Sequence, residues 1–245
     1  MSLVTPAADL GDGVLGGFSS RVGGSSQPPY DSLNLGLSIG DDRAVVLANR
    51  DALAAACGLT EPDLTWMRQV HGREVWYAGS DPAAPPEPVD AMFTDRPGQA
   101  LCVLVADCAP VLLADPHARI VGAAHAGREG LAAGVVPALV SAMTAAGASP
   151  ARMRAVIGPA ICGRCYEVPV ELQARVGNRV PAAVCPTAAG TCGLDLAAGL
   201  RAQLAAAGVA RIGADGRCTR ESPDLYSYRR DGRTGRFAGL VWLAA

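Results

Sequence analysis

The chain has 245 residues, half of them hydrophobic, enough for a sizeable core and of a length that corresponds to one or two domains. Its 23 acidic residues against 21 basic ones leave a net charge of −2, which offers no electrostatic grip on nucleic acid or an anionic membrane, and only 18% of residues are charged, which argues against disorder. All the basic residues are arginine, which excludes Schiff-base, phosphate-loop and general-base lysines, and three histidines (His71, His117, His125) cannot furnish the roughly ten imidazoles of a multicopper oxidase.

The opening stretch, MSLVTPAADLGDG, lacks the basic and apolar regions of a signal peptide, and no apolar run approaches the ~20 residues of a membrane span. A cytoplasmic location is therefore expected, with the eight cysteines held as reduced thiols. Residues 17–40, rich in Gly, Ser and Pro, read as a long shaped loop. Asp41 or Asp42 then caps a helix that runs to Cys57 and is stopped by Gly58. Residues 66–77 read as extended chain broken at His71-Gly72, and 79–89 as a Pro-rich surface loop. In the centre, residues 100–106, 110–115 and 120–127 are short apolar runs bounded by turns, the pattern of buried strands. A helix is predicted over 130–146 with a kink at Pro137, then a strand at 155–157. Helices follow over 170–176 and 195–207, the second capped by Asp195 and ended by Gly208, and the chain closes with a strand over 238–243. Strands and helices mix without regular βαβ alternation or internal repeats. One α+β domain over residues 1–245 is expected, a mixed β-sheet core flanked by helices.

His71, Cys108 and His125 interrupt apolar or structured surroundings at turns or strand ends (QVHG, VADCAP, AAHAG), where rigid strands can aim a side chain into a cleft. Two imidazoles and a thiolate suit Zn²⁺, and three protein ligands leave a fourth position open, as in catalytic zinc sites that acidify water to a pKa near 7. Their separations of 37 and 17 residues match no local zinc motif, and a buried Cys acting as a small hydrophobe beside hydrogen-bonded core histidines explains the same residues. Asp107 is a proton carrier or a turn cap, and Asn34 a substrate contact or a loop turn. Gln69 falls on the side of His71 if the segment is extended. Arg50, Arg229 and Arg230 are guanidinium candidates for phosphate, although most arginines are solvated surface. Cys162-Gly163-Arg164-Cys165 is a C-x-x-C without a second pair or a thioredoxin-like setting. Cys185 and Cys192 lack partners, and His117 reads as an exposed turn residue.

PYDSLNLGLSIGDD, QVHG, VADCAPVLLADP, VGAAHAG, IGPAIC, CYEV and SYRRDGRTGR, in that order, resemble the YfiH/YlmD family, long labelled polyphenol oxidases or laccases. The motifs extend from about Gly13 to Leu243. The resemblance implies a layered α/β/β/α fold, shared with the cysteine-dependent glutamine deamidase domain of a bacterial toxin. It also implies a zinc enzyme that phosphorolyses adenosine, inosine and methylthioadenosine and deaminates adenosine. Its zinc ligands fall on His71, Cys108 and His125, and its partners are purine nucleosides and phosphate; with the charge balance offering no grip on nucleic acid or membrane, a monomer or weak homodimer is expected. One departure concerns the family's HAGWRG, which reads HAGREG here: the aromatic residue is gone, Arg128 stands one place early, and Glu129 replaces the cation. If the family arginine holds phosphate or positions substrate, that task falls to Arg128 or is lost; if the tryptophan and arginine only pack the helix start, the change is neutral. Two other readings stay open: a metal-free hydrolase with Cys108 activated by His125 or His71, and a purine nucleoside-binding protein with little turnover.

Overall fold

The computed structural model describes residues 3–79, 85 and 87–245. The chain begins with β1 (Val4–Pro6) and β2 (Val14–Ser19), so the expected loop over 17–40 yields its first three residues to β2. The Asp42 carboxylate accepts from the N–H groups of Ala44 and Val45 and starts α1 (Arg43–Ala56), and Gly58, with φ 72°, lies just past its end. Next come β3 (Leu64–Trp66), β4 (Val75–Tyr77), β5 (Ala91–Thr94), β6 (Ala100–Val105), β7 (Ala109–Asp115) and β8 (Ile120–Ala126). The three central strands match the apolar runs. The stretch between β3 and β4 is irregular rather than extended, and the Pro-rich loop predicted over 79–89 lies largely outside the described residues.

The helix predicted over 130–146 is two helices, α2 (Arg128–Ala133) and α3 (Val135–Ala145), which meet at Gly134 with φ 82°. Pro137 lies in the first turn of α3, where a missing N–H costs no helical bond, so the left-handed glycine and not the proline makes the break. The remaining elements are β9 (Arg154–Ile157), α4 (Val170–Gly177), β10 (Val184–Pro186), β11 (Cys192–Leu194), α5 (Leu196–Ala206) capped by Asp195, β12 (Arg211–Ala214), α6 (Tyr228–Asp231) and β13 (Phe237–Leu243).

Two mixed sheets stack face to face, one ordered β1-β2-β13-β6-β3 and the other β12-β9-β7-β8-β5-β4, with β10 and β11 as a separate antiparallel pair. The period-two alternation of each strand divides its side chains between layers. On β6, Leu101 and Val103 face the space between the sheets, where Leu112 and Val121 meet them, whereas Ala100 and Cys102 face Leu53 of α1. The far face of the second sheet carries Val111, Leu113 and Ala124 against Leu131, Leu139 and Leu200 of the other helices. The order α/β/β/α follows, with three apolar layers in which each buried Val or Leu contributes about 1.5–3 kcal/mol. No described helix is long and apolar enough to cross a membrane. Because β6 belongs to one sheet and β7 to the other, the link Ala106-Asp107-Cys108 crosses between layers, and Asp107 makes that crossing at φ 100°.

Candidate active site

Asp90, just ahead of β5, is fully buried, and its carboxylate organises the site. One oxygen accepts from the backbone N–H of Val70 (3.0 Å) and of Gly72 (2.7 Å), and the other from the N–H of His71 (2.9 Å). The chain thus wraps around a single anion, which holds His71 at φ 62°, a conformation unusual for a residue with a side chain. The Asp90 oxygen that binds the His71 N–H also accepts from His125 Nδ1 at 2.7 Å, which leaves His125 Nε2 free to act as a ligand. Burial pushes the Asp90 carboxyl up, but the hydrogen bonds from His125, Gly72 and Val70 outweigh it and hold the group below the ordinary carboxylate value.

The ligand atoms of His71, Cys108 and His125 all lie within 4.8 Å of one another. His71 Nε2 stands 3.9 Å from Cys108 Sγ, and the two imidazoles meet edge to face with centroids 4.8 Å apart. Burial works to raise the Cys108 thiol, yet the neighbouring His125 and His71 bring it down to about 6. Burial likewise works to lower His125, and the facing thiolate and Asp90 carry it up to about 9. Gly127 completes the arrangement: a Cβ there would sit 2.9 Å from Cys108 Sγ and 3.0 Å from His71 Cδ2, crowding two of the three ligands. Two imidazoles and a thiolate around a space kept clear by glycine fit a borderline-soft divalent cation.

A cavity of about 780 Å³ opens over this cluster, a size suited to a small-molecule ligand. Arg128 lines it, with Nη1 donating to the Tyr166 hydroxyl at 3.1 Å and Nε donating at 3.3 Å to Glu129, whose same oxygen also accepts from Arg175 at 2.7 Å. Arg229 also lines it, lying over the Tyr166 ring with Nη1 donating to the Glu167 carbonyl. Gln69 reaches the wall, but its amide is paired with both the N–H and the carbonyl of Leu104 and so splices the His71 loop to β6. Arg50 borders the cavity with two guanidinium N–H groups on the Leu35 carbonyl and its plane 3.9 Å over Trp66; burial lowers its pKa to about 10. Asp107 faces the cavity too, but its carboxylate is taken by the Thr219 hydroxyl (2.6 Å) and the Arg229 N–H (2.7 Å), the pattern of a cap.

Two expected residues do not reach the cavity. Asn34 is fully buried and spends its amide on the Gly36 backbone, the Arg236 N–H and Asp41, so it is a loop staple. Arg230 directs its N–H groups to the carbonyls of Thr219, Ser222 and Leu225 and to Asp231, which leaves it no fork for phosphate. His117 is exposed in the turn between β7 and β8, as expected. Sequence reasoning missed Asp90, whose only signal is a carboxylate set between apolar residues at the start of a strand. It also missed Arg236, Tyr166 and Tyr228, which line the cavity without a motif of their own beyond the family-like segments.

A family profile described as multi-copper polyphenol oxidoreductase laccase matches residues 16–244. The chain is 54% identical over 230 residues to purine nucleoside phosphorylase ORF3 of Streptomyces griseus, covering 92% of this chain and 93% of that one. It is 39% identical to purine nucleoside phosphorylase YfiH of Shigella flexneri, covering 98% of each. Among solved structures it resembles YlmD from Geobacillus stearothermophilus, with a TM-score of 0.89 and 34% identity over 96% of this chain and 93% of that one.

Proposed function

The chain belongs to the family described as multi-copper polyphenol oxidoreductase laccase, and on that premise we propose that it is a zinc-dependent purine nucleoside phosphorylase of the cytoplasm. Its substrates are phosphate with adenosine, inosine or methylthioadenosine, and adenosine deamination is a side activity. The observation that carries this reading is the convergence of His71, Cys108 and His125 on a space kept clear by Gly127, at the floor of a cavity bordered by Arg128 and Arg229. With three histidines in all, the chain cannot assemble the copper centres that the family description names.

His71 Nε2, Cys108 Sγ and His125 Nε2 are the atoms that would hold zinc, which would supply positive charge and Lewis acidity at the cavity floor. Asp90 keeps the His125 proton on Nδ1 and so presents the other nitrogen to the ion. Arg128 and Arg229 hold phosphate, each already steered by its contact with Tyr166, so little side-chain freedom is lost on binding. Tyr228, exposed at the cavity, offers an aromatic face to the purine. Phosphate then attacks ribose C1′ as the base departs. Asp107 is a positioning residue that ties the Cys108 turn to Thr219 and Arg229.

The test is to incubate the protein with adenosine, with and without phosphate, and to separate the products, with metal content measured beside a Cys108→Ala variant. Adenine formed only with phosphate, and lost in the variant together with metal, supports the reading. Inosine alone means that deamination survives without phosphate handling. Full activity and metal content in Cys108→Ala overturn it.

One observation favours a second reading: a thiol near pKa 6 beside a histidine nitrogen at 3.9 Å is also an activated nucleophile. Rapid alkylation of Cys108 by iodoacetamide in the protein as isolated, with activity unchanged by chelation, favours that alternative. A coordinated thiolate is protected until the metal is stripped.

A further inference from the structure

A second group of ligating side chains comes together outside the cavity: Cys162, Cys165, Cys218 and Glu221, whose sulfur and carboxylate atoms all lie within 4.8 Å of one another. Cys162 and Cys165 stand on a turn closed by the N–H groups of Cys165 (2.9 Å) and Tyr166 (3.0 Å) on the Cys162 carbonyl. Cys218 and Glu221 stand on a matching turn, closed by the N–H groups of Glu221 (3.1 Å) and Ser222 (2.9 Å) on the Cys218 carbonyl. Each turn therefore presents ligands at positions i and i+3. The C-x-x-C that lacks a second pair in sequence finds a C-x-x-E opposite it in space.

The two turns are fixed to each other. Ala160 and Cys218 form a parallel bridge, the Thr219 N–H donates to the Ala160 carbonyl (3.1 Å), and the Cys162 N–H donates to Cys218 Sγ (3.4 Å). That last contact aims a backbone donor at the sulfur, the geometry that outer-shell donors adopt around metal-bound thiolates. Cys165 Sγ lies 3.5 Å from the Glu221 carboxylate. Bond lengths of about 2.3 Å to sulfur and 2.1 Å to oxygen place these two atoms about 3.6 Å apart on a tetrahedral zinc. Without a cation the thiols stay protonated: burial first, and then the neighbouring thiol and carboxylate groups, push Cys165 up to about 12, and burial with Cys218 raises Cys162.

We propose that Cys162, Cys165, Cys218 and Glu221 form a closed, four-ligand structural zinc site behind the wall of the cavity. Four protein ligands leave no open position for substrate, so the ion acts as a clamp. What it clamps is defined by the neighbours. Thr219, next to Cys218, holds the Asp107 carboxylate; the Ile161 N–H holds the Asp107 carbonyl at 2.9 Å; and Tyr166, next to Cys165, touches both Arg128 and Arg229. The site thus joins two turns more than fifty residues apart that together support one side of the cavity.

The test uses the reduced, metal-free Cys108→Ala protein, which lacks the thiolate of the cavity-floor cluster, titrated with Co²⁺ alone and then with Zn²⁺ alone. The expected result is one equivalent of cobalt with a thiolate-to-cobalt charge-transfer band and tetrahedral ligand-field bands, all displaced by one equivalent of zinc. Adding Cys165→Ser or Cys218→Ser removes the bands, and adding Glu221→Gln keeps them but weakens binding by about tenfold or more. No sulfur-to-cobalt band in Cys108→Ala overturns the proposal, as does a band that survives Cys165→Ser. A complete disulfide among these cysteines in protein purified without oxidant, seen as a mass lower by two hydrogens, overturns it as well. Where a serine variant does not fold, the titration of Cys108→Ala and the zinc content of the unaltered protein decide: two ions per chain support the site, and a single ion lost with Cys108 refutes it. None of these readouts depends on catalysis, so failure of the phosphorylase reading leaves them intact.

Discussion

Replacing Asp90 by asparagine changes one oxygen to an NH₂ and nothing in size, yet both orientations of the new amide cost something. If the NH₂ takes the place of the oxygen that serves Val70 and Gly72, two buried N–H donors face a third. Bonds to a charged acceptor are worth about 1.5–3 kcal/mol each, so this orientation costs about 3–6 kcal/mol. In the other orientation only the His71 N–H is left opposing a donor, at about 1.5–3 kcal/mol, because His125 can adapt by accepting at Nδ1. That adaptation moves the His125 proton to Nε2 and removes the lone pair it needs as a ligand. The cheaper orientation therefore predicts Asp90→Asn protein that is folded, about 2 kcal/mol less stable in urea, and about 10–100-fold weaker in zinc affinity. The pH dependence carries the sign. Because the Asp90 carboxyl is held below its ordinary value, its stabilising effect is complete above about pH 4 and is lost as pH falls through the folded value. The asparagine variant should lack that acid-side loss. Zinc affinity unchanged in Asp90→Asn, with stability within about 0.5 kcal/mol of the parent, refutes the assignment of Asp90 as organiser of both histidines.

Other perturbations separate the remaining roles. Gly127→Ala puts a methyl group 2.9 Å from Cys108 Sγ, so zinc affinity at the cavity-floor site should fall at least about tenfold by competition with a chromogenic chelator while circular dichroism stays native. In metal-free protein, iodoacetamide alkylation of Cys108 should be half-maximal near pH 6, where an ordinary cysteine titrates near 8.5. In the same protein His125, raised to about 9, contributes stability that is complete below about pH 6.5 and lost as pH rises through about 9, measured by urea unfolding across that range. Arg230→Lys, which loses the fork onto three carbonyls, should destabilise by about 2 kcal/mol with little change in KM for phosphate. Arg229→Ala should instead raise KM for phosphate, with a stability loss of about 1 kcal/mol from the exposed bond to the Glu167 carbonyl.

Much of the fold was legible where the governing forces are local. The Asp42 cap, Gly58 beyond the helix end and the Asp195 cap all act within four residues of the bonds they satisfy, so the bounds of α1 and α5 could be read along the chain. The central strands were equally readable, because a continuous apolar run of six or seven residues has few other homes. The break in the helix after residue 130 was misplaced for a reason of the same kind: Pro137 is the stronger general breaker, but a proline in a first turn breaks nothing, and that depends on where the turn begins.

The candidate ligands His71, Cys108 and His125 were visible as polar residues at strand ends, and the motifs around them pointed to their family. That they share one small volume is a property of the sheet stacking. It needs β6 in one sheet and β7 in the other, so that Cys108 turns the corner between layers, and it needs Asp90, 20 residues from Val70 and 35 from His125, to hold both imidazole segments. Asn34 and Arg230 lost their proposed ligands because folding supplied backbone partners more than one turn away, and Cys162 and Cys165 gained Cys218 and Glu221 from the far side of the second sheet's last crossover. By itself the sequence determined the central strands, the capped helices, the chemistry available and the family, because propensity, periodicity and motif act over short windows. Which of those groups meet, and which spend their donors on carbonyls, only the tertiary structure decided, because hydrogen bonds and metal ligands are matched by distance in space and not along the chain.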